Sequence, residues 1–135
     1  MTNEAMNPAE RMAAFRRRVN FKLNRYEGIA KAKTEALMAD FNNRFDCYAE
    51  EIFKANLLRE YSKELADLLS EETITIEKAI ETLQHAKEHT GDDIMFGDPY
   101  RNSSNGAANL AHRWAYEVKR TIYNSTCNFL TDLTE

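Results

Sequence analysis

The chain has 135 residues, 43% apolar and 30% charged, with a formal net charge of −4. That mixture excludes wholesale disorder, and the length fits one domain large enough to bury a core. No stretch approaches 18 uncharged apolar residues, so the sequence predicts no membrane-spanning helix and no membrane partner.

The first residues, Met1-Thr-Asn-Glu, carry no apolar segment of the signal-peptide kind, which predicts a cytoplasmic protein. Cys47 and Cys127 are then expected to be reduced thiols. Only four Gly and two Pro occur, a scarcity of breakers that favours long helices over strands and turns.

Residues 1–7 are expected to form a disordered tail, and 8–135 a single helical domain. Asn7-Pro8 reads as a helix start, with Asn as cap and Pro at the first helical position. From there an apolar stripe keeps helical time: Phe15, Val19, Leu23, Tyr26, Ala30, Leu37, Phe41, Phe45, Tyr48, Ile52, Ala55, Leu58, Tyr61, Leu65, Leu68, interrupted only by Lys33. It covers 53 residues in 15 steps, about 3.5 residues per step, close to the coiled-coil period.

The stripe predicts one helix over 8–69, with a bend at Gly28 as the alternative to continuity. Asn42-Asn43 is a weak spot, but Phe41 and Phe45 hold the phase across it. A straight rod of that length would run about 90 Å and needs a partner helix, from this chain or from a second copy. Phe15, Val19, Leu37, Phe41, Phe45, Tyr48, Ile52 and Leu65 are accordingly expected to form an oligomer seam, with a dimer favoured.

A second helix is predicted over 75–89, ended by a left-handed Gly91. Residues 90–106 read as the one long loop, with Ile94, Met95 and Phe96 tucked against helices. The last helix is predicted over 107–133, capped by Ser104 or Asn105, with Trp114 on its apolar face. The expected fold is therefore all-α: one very long or bent N-terminal helix packed with two or three further helices, coiled-coil-like and oligomeric.

Candidate chemistry is sparse. His85, Glu88 and His89 match H-x-x-E-H, whose two His share a helix face and can hold zinc. A catalytic site of that kind needs a further ligand from a large scaffold, and only 46 residues follow His89. His112 and Cys127 lie about 22 Å apart on one helix, too far to cooperate. Gly91, Gly97 and Gly106 lack the spacing of a phosphate loop. The sequence thus predicts no catalytic residues, no metal, no cofactor and no enzyme.

Charge is more informative. Residues 1–33 carry eight Lys/Arg against three acids, a balance of +5, whereas residues 34–98 carry six against sixteen, a balance of −10. Arg11, Arg18, Lys22 and Arg25 fall within about 60° on a helical wheel, with Arg16 and Arg17 projecting elsewhere. Such a set suits phosphates, an acidic protein surface, or plain solvation with pairing to acids of the middle segment. Glu50, Glu51, Glu60, Glu64 and Asp67 are the acidic counterpart, a surface able to meet a basic partner or simply water. Two functions follow. The first is a non-enzymatic helical factor binding another protein, as inhibitor, immunity factor or assembly adaptor. The second is a nucleic-acid-binding accessory protein using the basic N-terminal helix.

Overall fold

The computed structural model describes residues 6–71, 73–100 and 102–134. Among them are four α-helices and no strand: α1 Pro8–Ala39, α2 Phe41–Leu69, α3 Ile76–Phe96 and α4 Gly106–Thr134. The tail expected over 1–7 lies outside the described residues as far as residue 5. Asn7 is ordered by its role as cap, its side chain accepting from the Glu10 N–H at 2.8 Å and donating to the Glu10 carboxylate at 2.9 Å.

The helix expected over 8–69 is two helices. The chain passes straight through Gly28, where a Cβ would meet open space, and breaks at Asp40 instead, whose φ and ψ are −152° and 66°. The cause is local polar chemistry. Asp40 Oδ1 and Oδ2 take hydrogen bonds from Asn43 Nδ2 at 3.0 and 3.2 Å, while its backbone carbonyl accepts from Arg44 N–H. Short polar side chains that bond to nearby groups compete with helix continuation.

Because the stripe keeps phase on both sides of this break, α2 folds back along α1 and the two halves cover each other. Lys33, the one interruption, serves the hairpin: its ammonium pairs with Glu51 at 3.2 Å and sits 4.6 Å from the centre of the Tyr48 ring. The seam residues Phe15, Val19, Leu37 and Leu65 are therefore buried within one chain rather than between chains. Tyr48 and Ile52 are half-buried. Phe41 and Phe45 remain 50% and 48% exposed, their rings 5.5 Å apart.

Thr75 caps α3 by accepting from the Lys78 N–H at 3.1 Å. This helix runs seven residues past the expected end at 89. Gly91 has no left-handed backbone; its missing side chain makes room for Tyr123, since a Cβ there would sit 3.2 Å from Tyr123 Cε2. Termination comes at Gly97, just before Asp98-Pro99, where the residue preceding Pro is barred from helix. Met95 and Phe96, expected to be tucked in, are 75% and 79% exposed. Asn105 caps α4, accepting from the Ala108 N–H at 3.1 Å.

Consecutive helices run in opposite directions. Arg18 against Asp132 at 2.9 Å and, further along α1, Lys22 against Ser125 at 3.4 Å set α4 antiparallel to α1, and the Phe15 and Phe129 ring centres are 5.2 Å apart. Phe53 against Trp114 at 5.7 Å, with Lys54 bonded to Glu117 and Tyr61 to Thr126, sets it parallel to α2. The main core is Phe15, Val19, Leu65, Leu69, Ala79, Leu83, Phe129 and Leu133. It closes the end where α1 and α3 begin and α2 and α4 finish, called here the core end. The opposite, loop end holds the α1–α2 turn and residues 97–100 and 102–105. There Met38, Phe41, Phe45, Met95, Phe96, Tyr100 and Leu110 are all exposed.

Candidate interaction surfaces

The basic face drawn on the wheel points at α4. Arg18 pairs with Asp132, and Lys22 donates to Ser125 Oγ at 3.4 Å with its ammonium 5.6 Å from the Phe129 ring centre. Desolvation there, followed by the charges of Arg18 and Arg25, lowers the Lys22 pKa, against a pull upward from Asp132. Arg11 is half-buried, its Nε donating to the Met6 carbonyl at 3.0 Å. Thus Arg18 and Lys22 belong to the α1–α4 contact and are only partly open to a ligand. Arg16, Arg17 and Arg25 are exposed. The acid that answers Arg18 is Asp132 near the C-terminus, not one of the middle segment.

The acidic set divides in the same way. Glu51 answers Lys33, and Glu50 shares Lys54 with Glu117. Hydrogen bonding from Lys54 holds the Glu117 carboxyl below its ordinary range despite partial desolvation, with Arg113 adding to the effect. Burial opposes the Lys54 charge, yet Glu117 and Glu50 outweigh it and raise its pKa. Glu60, Glu64 and Asp67 are exposed. Of these, Glu60 and Glu64 stand one turn apart on the lip of a groove.

That groove is the feature sequence reasoning missed. Helices α2 and α3 meet at the core end but diverge towards the loop end, so α4 floors a gap of about 620 Å³ between them. Leu57, Leu65, Leu68, Ala86, Ala115 and Ile122 make most of its wall. The opposite side carries His89 and Lys119, with Asp93 3.5 Å from the first and 3.3 Å from the second. Small residues at 86 and 115 were the available signal, but no periodicity rule says which helix pair will diverge. The Tyr61 hydroxyl, bonded to the fully buried Thr126, lies beside the groove, and desolvation pushes its pKa up to about 12.

The catalytic candidates do not converge. His85 and His89 have side chains 76% and 81% exposed, with Glu81 4.0 Å and Asp93 3.5 Å away respectively. Among the described residues no three His, Cys, Asp or Glu side chains are grouped so as to hold a metal ion. His112 Nε2 is engaged with the Asp98 carbonyl at 2.7 Å, and Cys47 and Cys127 are both free thiols. Arg113 pairs with Glu117 and lies 5.9 Å from the Tyr100 ring centre, while Tyr116 donates to the Ile94 carbonyl. Trp114 is half-buried against Phe53.

The bundle thus presents a surface that is apolar at the loop end, grooved on one side and charged along two helices. No protein-family model matches the chain, and comparison with curated proteins and with solved structures gave no match either. No helix among the described residues is long and apolar enough to cross a membrane.

Proposed function

We propose that this protein is a non-enzymatic helical binding factor, of the inhibitor, immunity or assembly-adaptor kind, which meets another protein through the loop end of its bundle. One observation carries the reading. Seven large apolar side chains, Met38, Phe41, Phe45, Met95, Phe96, Tyr100 and Leu110, stand in solvent at one end, while the main core closes the other. Exposed apolar side chains gathered at one place mark contact surfaces, whereas single scattered ones do not. Aromatic and Met side chains are also the residues enriched at the centres of protein interfaces. Free thiols at Cys47 and Cys127 fit a reducing compartment, and we place the action in the cytoplasm.

The test uses the intact chain and two double variants, Phe41→Ser/Phe45→Ser and Met95→Ser/Phe96→Ser, as baits after nuclease treatment of a lysate. A stoichiometric partner retained by the parent and lost by either variant, with circular dichroism unchanged, supports the reading. Equal capture by all three baits overturns it, as does no capture by any.

A second reading, binding to nucleic acid, keeps one supporting observation: Arg16, Arg17 and Arg25 are exposed on α1. It requires duplex binding that weakens steeply with salt. No retention on heparin at low salt removes it.

A further inference from the structure

Phe21 stands apart from the other exposed aromatics. It is 67% exposed at mid-length on α1, far from the loop end, on the helix face opposite Phe15 and Val19. Its neighbours one turn away, at spacings of three and four, are Arg17, Arg18, Asn24 and Arg25. Of these, Arg17, Asn24 and Arg25 are exposed, and neither arginine forms an ion pair among the described residues. The outer face of α1 is thus an apolar knob set among arginines.

The groove between α2, α3 and α4 has the converse character. It is concave and walled by Leu57, Leu65, Leu68 and Ile122, with Glu60 and Glu64 on its α2 lip. Neither carboxylate pairs with a cation among the described residues, unlike Glu50 and Glu51 on the same helix. On the facing side Asp93 answers the Lys119 ammonium at 3.3 Å. A ligand for this groove would be apolar at its centre and basic at its edge.

We infer that the occupant is a second copy of this chain, with Phe21 of one copy seated in the groove of the next and Arg17 and Arg25 facing Glu60 and Glu64. Shape, polarity and charge sign agree, and neither surface is used by its own bundle. The knob looks away from the bundle axis, so no copy can fill its own groove. The contact pairs two different patches, so it either closes reciprocally between two copies or propagates into a ring or an open chain. It is independent of the loop end and of any partner bound there.

A knob-and-groove contact has a signature that a contact of one patch with itself lacks. Phe21→Ser removes the knob and leaves the groove intact, whereas Glu60→Lys/Glu64→Lys spoils the groove and leaves the knob. Light scattering should find the parent above monomer mass at tens of micromolar, and each variant monomeric. Each loss corresponds to affinity weakened roughly 10-fold or more, through the lost apolar anchor in Phe21→Ser and through like charges brought together in Glu60→Lys/Glu64→Lys. An equimolar mixture of the two variants should give a 1:1 dimer and nothing larger. Adding Arg17→Glu/Arg25→Glu to the groove variant should restore assembly of that chain with itself. All these substitutions lie on exposed positions, and circular dichroism checks that the fold is intact. A monomeric parent overturns the inference. So does an oligomer indifferent to Phe21→Ser, or a variant mixture that stays monomeric.

Discussion

The two phenylalanines Phe15 and Phe45 occupy equivalent places in the apolar stripe, but the fold gives them different energetic roles. Phe15 is fully buried, tilted 57° against Phe129 at a ring-centre distance of 5.2 Å, and sits in the eight-residue cluster at the core end. Replacing it with Ala removes the transfer energy of the ring, leaves a cavity the helices cannot wholly close, and deletes an aromatic pair. Such truncations cost about 3–5 kcal/mol, of which the pair supplies roughly 0.5–1.5. Against a total of about 5–15 kcal/mol for a domain, that is a large share, and it should lower the melting temperature by roughly 10–15 °C. Phe45 is 48% exposed with its ring 5.5 Å from that of Phe41, so Phe45→Ala should cost about 1 kcal/mol. Urea titration of dilute protein, followed by far-ultraviolet circular dichroism, reads both, with an unchanged slope indicating that only stability moved. If Phe45→Ala costs as much as Phe15→Ala, the core has been placed at the wrong end of the molecule.

Other substitutions test separate features. Gly28→Ala should raise stability by about 0.5–1 kcal/mol, because the helix runs straight through an open position; a loss there would contradict a continuous α1. Gly97→Ala should destabilise by roughly 1–3 kcal/mol, since its Cβ would overlap the Asp93 carbonyl oxygen at the end of α3. Tyr61→Phe should cost about 1–2 kcal/mol by leaving Thr126 without its hydroxyl partner. The Tyr61 pKa is raised from 10.0 to about 12, so its contribution is whole below pH 10 and lost as pH rises towards 12. The alkaline fall in stability should therefore be shallower in Tyr61→Phe than in the parent. Glu117 has a lowered pKa, so its bond to Lys54 contributes above the ordinary carboxylate range and fades as pH drops through the folded value. With the carboxylate 40% exposed, the effect is at most about 1 kcal/mol, read as a weaker acid dependence in Glu117→Gln.

Helix content was legible because the stripe, the Asn7-Pro8 start and the Asn105 cap are local signals. The α1–α2 turn was harder. A Gly inside a helix looks like the natural breaking point, yet exposed Gly28 loses only about 1 kcal/mol against Ala and has no tertiary reason to bend. The Asp40–Asn43 bonds supply an alternative to the helix, and burying two stripes against each other supplies the drive. Gly91 misled for the opposite reason: its role is the approach of the Tyr123 ring, a contact with a residue 32 positions away that no local rule contains. On the surfaces, the wheel grouped Arg11, Arg18, Lys22 and Arg25 on one flank of α1. It had no means of knowing that α4, with Ser125 and Asp132, would lie against that flank. The groove was invisible because it arises from two helices failing to meet, a property of the packing and not of any segment.

The segregation of charge along the chain takes on a different meaning once folded. A straight rod would carry its positive and negative halves far apart. The hairpin instead lays them side by side, yet the ion pair spanning α1 and α2 among the described residues is Lys33–Glu51, near the turn. The remaining α1 cations either lean on α4, as Arg18 does, or stay in solvent with Arg16, Arg17 and Arg25. On α2, Glu60, Glu64 and Asp67 likewise stay outside. Exposed pairs of the Lys33–Glu51 type contribute little to folding, so these charges do not explain why the bundle holds together. Their effect is on encounter: opposite signs on two outer faces orient approaching molecules and fade within about 10 Å at 0.1 M salt. Salt should therefore leave the urea midpoint of the dilute monomer nearly unchanged while weakening any assembly made through α1 and the α2 lip. An equal response of both to 0.5 M salt would mean that the charges serve the fold instead.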